Sequence, residues 1–171
     1  MSTAAEQTAA ALAASIARAF RFHVVDEALP RIGRCVELLD ESQIWQRHGD
    51  RGNSVGNLLL HLEGNVRQWI LCGVGGAADA RQRDAEFAAT GVAEPSARCY
   101  ARLSETTLEA AAFVDGLTAD ELLAQRTFQQ RYPRPVVAGV LHVLEHFSGH
   151  AYQIYAWTKA LRGVDLRFFD L

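Results

Sequence analysis

Three histidines lie four residues apart near the end of the chain, in the segment LHVLEHFSGHAYQI at residues 141–154. They are His142, His146 and His150. An α-helix rises about 1.5 Å and turns about 100° per residue, so neighbouring members of this series lie about 6 Å apart along one face. An imidazole nitrogen binds zinc and similar ions at about 2.0–2.1 Å, and two histidines at this spacing can share one ion. The series is therefore typical of a metal site built on a helix.

Only two of the three histidines can bind the same ion, because His142 and His150 lie about 12 Å apart along the helix axis. The apolar residues that define the inward arc of this helix are Val143, Phe147, Ile154, Trp157 and Leu161. His150 falls inside that arc and His146 lies on its margin. His142 lies further out, beside Gln153. We therefore predict His146 and His150 as the pair, with His142 next to the site.

A third ligand has to come from another helix, and His61 is the candidate. It lies in the segment NLLLHLEGNVRQW, one helical turn before Asn65, at the border of a buried stripe. Histidines in such positions are also found hydrogen-bonded inside bundles without a metal, and this interpretation stays open for the pair on the last helix as well. His23 and His48 have no comparable context, and we expect them at the surface.

Helical periodicity dominates the chain, and the fold class that it predicts is all-α, a four-helix bundle with long connections. The expected helices span about 5–28 with a continuation after Pro30 as far as Trp45, 55–73 after an N-cap at Ser54, 96–115, and 136–161. We expect residues 74–95 to lack regular structure, and 117–135 to hold a helical turn and an extended piece. The core of a bundle is a common place for a metal site made by facing helices.

Length and composition predict one soluble domain over residues 1–171. The chain is 49% hydrophobic and 22% charged, with a formal net charge of -3. It has no run of Lys and Arg, which argues against nucleic acid as a partner. Its apolar segments are too short or too charged to cross a bilayer, so we expect no membrane association and a cytoplasmic location. The three cysteines have no close spacing, which favours reduced thiols over disulfides or a cysteine metal site.

Four segments together carry a resemblance to a known family: NSVGNLLLHLEGNVRQWI, GVGG, RQRDAEF and LEHFSGHAYQI. Over about 15–162 the chain resembles the DinB/YfiT-like superfamily of four-helix metalloproteins, and within it a bacterial subgroup of unknown function. The resemblance implies a triad of one histidine from the second helix and an HxxxH pair from the last, here His61, His146 and His150. It also implies zinc, nickel or iron as the metal, and a homodimer.

The resemblance implies two kinds of activity. Some relatives transfer or isomerise small-molecule substrates with low-molecular-weight thiols such as mycothiol or bacillithiol, and others are described as metal-dependent hydrolases. We therefore expect a metal-dependent thiol S-transferase or hydrolase with an open coordination position on a three-histidine site. The alternative is a non-catalytic, metal-stabilised stress-response or small-molecule-binding module. It stays open because Glu63 and Glu145 point away from the inner arcs, which leaves no clear proton shuttle. A bundle without metal is the third interpretation.

The sequence leaves the roles of three further features open. Asn65 orients a water or substrate, or bonds to a neighbouring helix. Gln153 supports His150, or is a solvated flank residue. The segment RQRDAEF, at 81–87, gates the site or binds an anionic substrate through its arginines, or else forms a solvated ion-pair network or a dimer contact.

Overall fold

The computed structural model of the protein describes residues 3–47, 49, 52–91 and 94–168. Eight α-helical segments and two strands are numbered here in chain order. The α-helices are α1 (Ala4–Phe20), α2 (Leu29–Leu38), α3 (Glu41–Trp45), α4 (Val55–Val66), α5 (Arg83–Ala88), α6 (Ser96–Asp115), α7 (Ala119–Leu123) and α8 (Val136–Arg162). Wider π-helical segments continue α1 (Arg21–Ala28) and α4 (Arg67–Val74), and the strands are β1 (Gln125–Phe128) and β2 (Tyr132–Pro135).

The fold is an all-α four-helix bundle with long connections, as predicted. Its four main members are the continuous helix from α1 to α2, α4 with its extension, α6, and α8. The core between them is apolar, and among its largest fully buried side chains are Phe20, Phe128, Phe147, Ile32, Leu58 and Leu103. Within the described ranges, no helix has the length and apolar character needed to cross a lipid bilayer.

Local capping signals explain the helices that the sequence predicts well. The Ser54 hydroxyl accepts a hydrogen bond from the Asn57 backbone N–H at 3.1 Å, and the Asn57 side chain accepts one from the Ser54 N–H at 3.1 Å, so α4 begins with a reciprocal cap. Helix α6 has the predicted bounds. Helix α8 ends at Gly163, whose φ of 63° is the left-handed conformation that glycine adopts without steric cost.

The first helix continues past Pro30 as predicted, but it ends earlier than predicted. Pro30 does not break it, because it lies in the first turn of α2, where its missing N–H costs little. The preceding π-helical segment joins α2 without a break, and the Leu29 N–H donates a hydrogen bond to the Val24 carbonyl at the junction. The helix then ends at Leu38 and not at Trp45, because the Asp40 side chain caps the separate helix α3.

Residues 74–95 and 117–135 contain more regular structure than predicted. Helix α5 lies in the first of these segments, and the Asn57 side-chain amide donates hydrogen bonds to the Glu86 and Ala89 carbonyls, both at 2.9 Å. This attachment holds α5 to the start of α4. In the second segment β1 and β2 form an antiparallel hairpin, with Phe128 opposite Tyr132 at its end.

The hairpin packs its buried Phe128 ring against α8 at Gly139. A Cβ at Gly139 would lie 2.5 Å from the Phe128 ring, whereas a Cβ at Gly149, on the same helix, would meet no atom within 4 Å. We expect Gly139→Ala to lower the free energy of unfolding by about 1–3 kcal/mol through overpacking. Gly149→Ala should instead raise it by about 0.5–1 kcal/mol through helix propensity. Urea denaturation of both variants checks this, and equal effects of the two substitutions would contradict the packing of the hairpin.

Candidate metal centre

Helices α4 and α8 bring His61, His146 and His150 together. One ring nitrogen from each lies within 4.8 Å of those of the other two. The Nε2 atoms of His61 and His146 are 2.9 Å apart. The His150 ring stands nearly perpendicular to both other rings, with centroids 5.1 Å from His61 and 4.5 Å from His146. The three residues that the sequence singles out therefore share one small volume between two helices.

The donor set fits a divalent transition-metal ion. Three imidazole nitrogens are the ligands of one class of catalytic zinc site, in which ligand nitrogens lie about 3.3 Å apart around a tetrahedral ion. A single N–H between the Nε2 atoms of His61 and His146 satisfies both rings at 2.9 Å. An ion between them would satisfy both in the same way, with the nitrogens slightly further apart. Only small side-chain movements separate the two arrangements.

Glu86 determines which nitrogen of His61 faces the centre. Its Oε2 lies 3.0 Å from His61 Nδ1, so Nδ1–H donates to the carboxylate and the lone pair is on Nε2. Arg81 holds the carboxylate in place, with Nε 2.7 Å from Oε1 and Nη2 2.8 Å from Oε2. The Arg81 and Glu86 side chains are only 6% and 11% exposed. A carboxylate on the second nitrogen of a histidine is the usual outer support of a metal ligand.

Burial disfavours the charged form of the two triad histidines on α8. Burial lowers the pKa of His146 to about 3, and the neighbouring His150 and His61 rings contribute to that shift. Burial also lowers the pKa of His150, although Gln153 opposes that shift through Oε1, 3.1 Å from Nδ1. Burial acts to raise the pKa of Glu86, but hydrogen bonds from Arg81 and His61 outweigh it and the pKa is lowered. The lowered pKa values of His146 and His150 favour neutral rings, the form in which an imidazole binds a metal ion.

The other histidines lie where the helical wheel and their context predict, as far as the structure describes them. His142 lies next to the triad and stacks on Trp69, with ring centroids 3.9 Å apart. Burial lowers its pKa. His23 is on the surface and lies 3.1 Å from Glu27. His48 lies outside the described residues.

Some polar residues near the triad form side-chain hydrogen bonds, and others have polar atoms without a partner in the described part of the chain. Gln153 contacts His150, which favours its supporting role over a solvated one. Glu63 accepts hydrogen bonds from Arg67 at 2.8 Å and Thr106 at 3.1 Å, away from the triad. Asn65 is buried, yet its Oδ1 has no hydrogen-bond donor among the residues that the structure describes. Its amide oxygen therefore does not bond to a neighbouring helix.

Sequence reasoning misses the contact between Glu86 and His61. It interprets the segment 81–87 as a gate, an anion-binding site or a solvated network, and it does not assign the buried carboxylate to a histidine. A usable signal exists, because a ligand histidine commonly needs an acceptor for its other N–H. The segment after α4 and its extension carries Asp79, Asp84 and Glu86, so it is one place to search.

A cleft of about 450 Å³ opens beside the triad. His61 and His146 form part of its wall, together with Trp69 and His142 from α4's extension and α8. The cleft has the size of a small-molecule site. A ligand in it would reach the ring nitrogens directly.

The family model described as "Protein of unknown function (DUF1572)" matches residues 17–170. The chain belongs to this family. Among solved structures, the DUF1572 chain is similar to a DinB-like protein from Bacillus cereus ATCC 10987, with a TM-score of 0.60, 16% identity, and coverage of 82% of this chain and 89% of that chain. At this identity the likeness shows the fold, and the predicted resemblance to DinB-like proteins is confirmed at that level. Among curated proteins, none matches the DUF1572 chain.

The depressed pKa of His146 makes the metal-free protein sensitive to acid. The unfolded ring binds a proton near pH 6.5, whereas the folded ring does so only near pH 3. The contribution of His146 to the free energy of unfolding is therefore fully present above pH 6.5. It is lost as the pH falls between these two values. We expect His146→Gln to make the decline shallower, by at most about 1.4 kcal/mol per pH unit, the value for one proton. Urea denaturation of chelator-treated protein between pH 7.5 and 4.5 measures this, and equal slopes for wild type and His146→Gln would contradict it.

Proposed function

We propose that the chain binds a divalent metal ion, zinc, nickel or iron, through His61, His146 and His150, and acts as a metal-dependent thiol S-transferase or hydrolase. One observation carries the proposal: three ring nitrogens from two helices lie within 4.8 Å of one another beside a cleft. The likeness to DinB-like proteins supports it through the fold. The proposal includes a small-molecule substrate and, for the transferase reaction, a low-molecular-weight thiol.

A divalent ion on three neutral imidazoles retains its full charge and an open coordination position, which supplies Lewis-acid activation of water, a thiol or a substrate. The protein supplies orientation. Glu86 holds the His61 ring with Nε2 toward α8, and Arg81 holds Glu86. Gln153 holds the His150 ring from its Nδ1 side. His61 is buried, and His146 and His150 are partly buried, which strengthens electrostatic interactions at the site.

A non-catalytic role is the second candidate, and the placement of the acidic residues favours it. Glu86 is already engaged by Arg81 and His61, and Glu63 by Arg67. Glu145 is exposed. Within the described part of the chain, no unengaged carboxylate lines the cleft to act as a general acid or base. In this role the ion stabilises the bundle of a stress-response or small-molecule-binding module.

Formation of a homodimer and a cytoplasmic location stay predictions from the sequence for both candidate functions.

We expect untagged protein purified without added metal to carry close to one divalent ion per chain. His146→Ala should carry almost none, because two remaining ligands bind an ion weakly. Glu86→Gln should retain the ion with about 10–100-fold lower affinity, because the support of His61 is weakened but the ligands remain. Elemental analysis and competition with a chromophoric chelator give both values, with His23→Ala as the matched surface control. Equal metal content in wild type and His146→Ala would contradict the site.

Turnover separates the enzyme from the non-catalytic module. We expect metal-loaded protein, incubated with small thiols and a chlorinated aromatic electrophile or with activated esters, to form product at a rate that His61→Ala reduces at least 100-fold. The uncatalysed rate and the His23→Ala protein are the references. If metal-replete protein gives only the uncatalysed rate with every combination of reactants, the result would reject the enzymatic function. The stabilising role would remain, and chelation of the metal should then lower the midpoint of unfolding.

A further inference from the structure

The cleft beside the triad is strongly positive, although the chain as a whole is acidic. Three arginines line it, Arg81, Arg83 and Arg134, and no Asp or Glu of the described chain does so. The formal net charge of the whole chain is -3. Positive charge concentrated in a cleft with buried walls focuses the electric field there and attracts anions. The charge distribution therefore distinguishes this cleft from the rest of the surface.

Two of these arginines are not engaged by the protein. Arg81 is committed to Glu86, but neither Arg83 nor Arg134 forms an ion pair or a side-chain hydrogen bond with any residue in the described ranges. Their guanidinium groups lie over aromatic rings instead. Arg134 Cζ lies 5.5 Å from the centre of Trp69 and 5.6 Å from that of Tyr132, and Arg83 Cζ lies 4.9 Å from that of Phe87.

Aromatic support positions a guanidinium without using its N–H groups. A ring contacts the flat face of the guanidinium, so the N–H donors at its edge stay available for the paired oxygens of a carboxylate or phosphate. Because Arg134 is half-buried against Trp69, little side-chain entropy remains to be lost when it binds a ligand. Arg134 is therefore a preorganised anion-binding group at the mouth of the site.

Two further polar atoms of the cleft wall lack partners within the described chain. They are the indole N–H of Trp69 and the amide Oδ1 of Asn65, on residues that are each 4% exposed. An unsatisfied buried polar group costs about 1–3 kcal/mol, and native proteins contain only a few of them. Both atoms belong to residues that line the cleft.

We propose that the cleft binds the anionic group of a small substrate, a carboxylate or a phosphate monoester, with Arg134 as the main contact and Arg83 as the second. Such a substrate would place its anionic end on the arginines and its reacting end toward His61 and His146. The proposal deepens the proposed function, because it names the substrate class of the same cleft. Binding of the anion by the arginines itself requires no metal.

Calorimetric titration of succinate and of phenyl phosphate into metal-free and zinc-loaded protein at low ionic strength tests the proposal. We expect metal-free wild type to bind at least one of the two probes, and the better probe identifies the anionic group. Arg134→Gln should weaken that binding at least tenfold, as the loss of charge-assisted hydrogen bonds does. Arg83→Gln should weaken it less. Arg134→Lys, which keeps the charge but loses the planar fork, should give an intermediate affinity.

Arg126→Gln is the matched control, because Arg126 pairs with Arg134 across the hairpin but does not line the cleft. It should change the affinity by less than twofold. Equal losses in the Arg126 and Arg134 variants would attribute binding to general charge and overturn the proposal. Two other outcomes would also overturn the proposal. One is the absence of binding to wild type at about 10 mM probe, a concentration well above a weak dissociation constant of roughly 1 mM. The other is zinc-dependent binding that Arg134→Gln leaves unchanged. If the protein takes up no zinc when zinc is supplied but still binds the probe through Arg134, the result supports this proposal and refutes the proposed metal site alone.

Discussion

The hydrogen bond between His61 and Glu86 is the interaction on which the site depends. An imidazole presents a lone pair on one nitrogen only when the other carries its proton, and the carboxylate at 3.0 Å from Nδ1 makes that choice for His61. Without Glu86, the ring could turn or change tautomer and present an N–H to α8. The carboxylate is itself fixed by two hydrogen bonds from Arg81, so the orientation of one ring is set by an almost fully buried ion pair.

That ion pair is held at the right place by the cap of α4. Asn57 accepts the hydrogen bond that starts the helix and donates two others to the backbone at Glu86 and Ala89. One side chain therefore links the start of the helix that carries His61 to the segment that carries its carboxylate. Local helix stability and the geometry of the site are coupled through this residue, and a change in the cap would displace Glu86 from His61.

Burial has opposite effects on the two kinds of charge at the site. It lowers the pKa of His146 and so disfavours a positive charge that would repel an ion, while hydrogen bonds from Arg81 and His61 lower the pKa of Glu86. On the cleft side, Arg134 keeps its charge against aromatic faces and has no acidic neighbour in the described part of the cleft wall. The centre is thus suited to a cation and the adjacent wall to an anion. This division is the physical basis of both proposals made above.

The sequence alone determined the features that are encoded within a few residues, while tertiary structure decided the rest. The cap at Ser54, the bounds of α6, the end of α8 at Gly163 and the choice of His146 and His150 over His142 all follow from local periodicity and capping. The continuation after Pro30 was wrong at its end, because a second cap at Asp40 starts a separate helix.

The partner of His61 lies 25 residues away in a segment without strong periodicity, and the Arg134 guanidinium reaches Trp69 only because the hairpin packs Phe128 against α8. Such contacts depend on how distant elements pack, and no pattern of neighbouring residues records them. The three histidines that lie together could therefore be identified from the sequence, whereas the groups that orient them and charge the cleft required the fold.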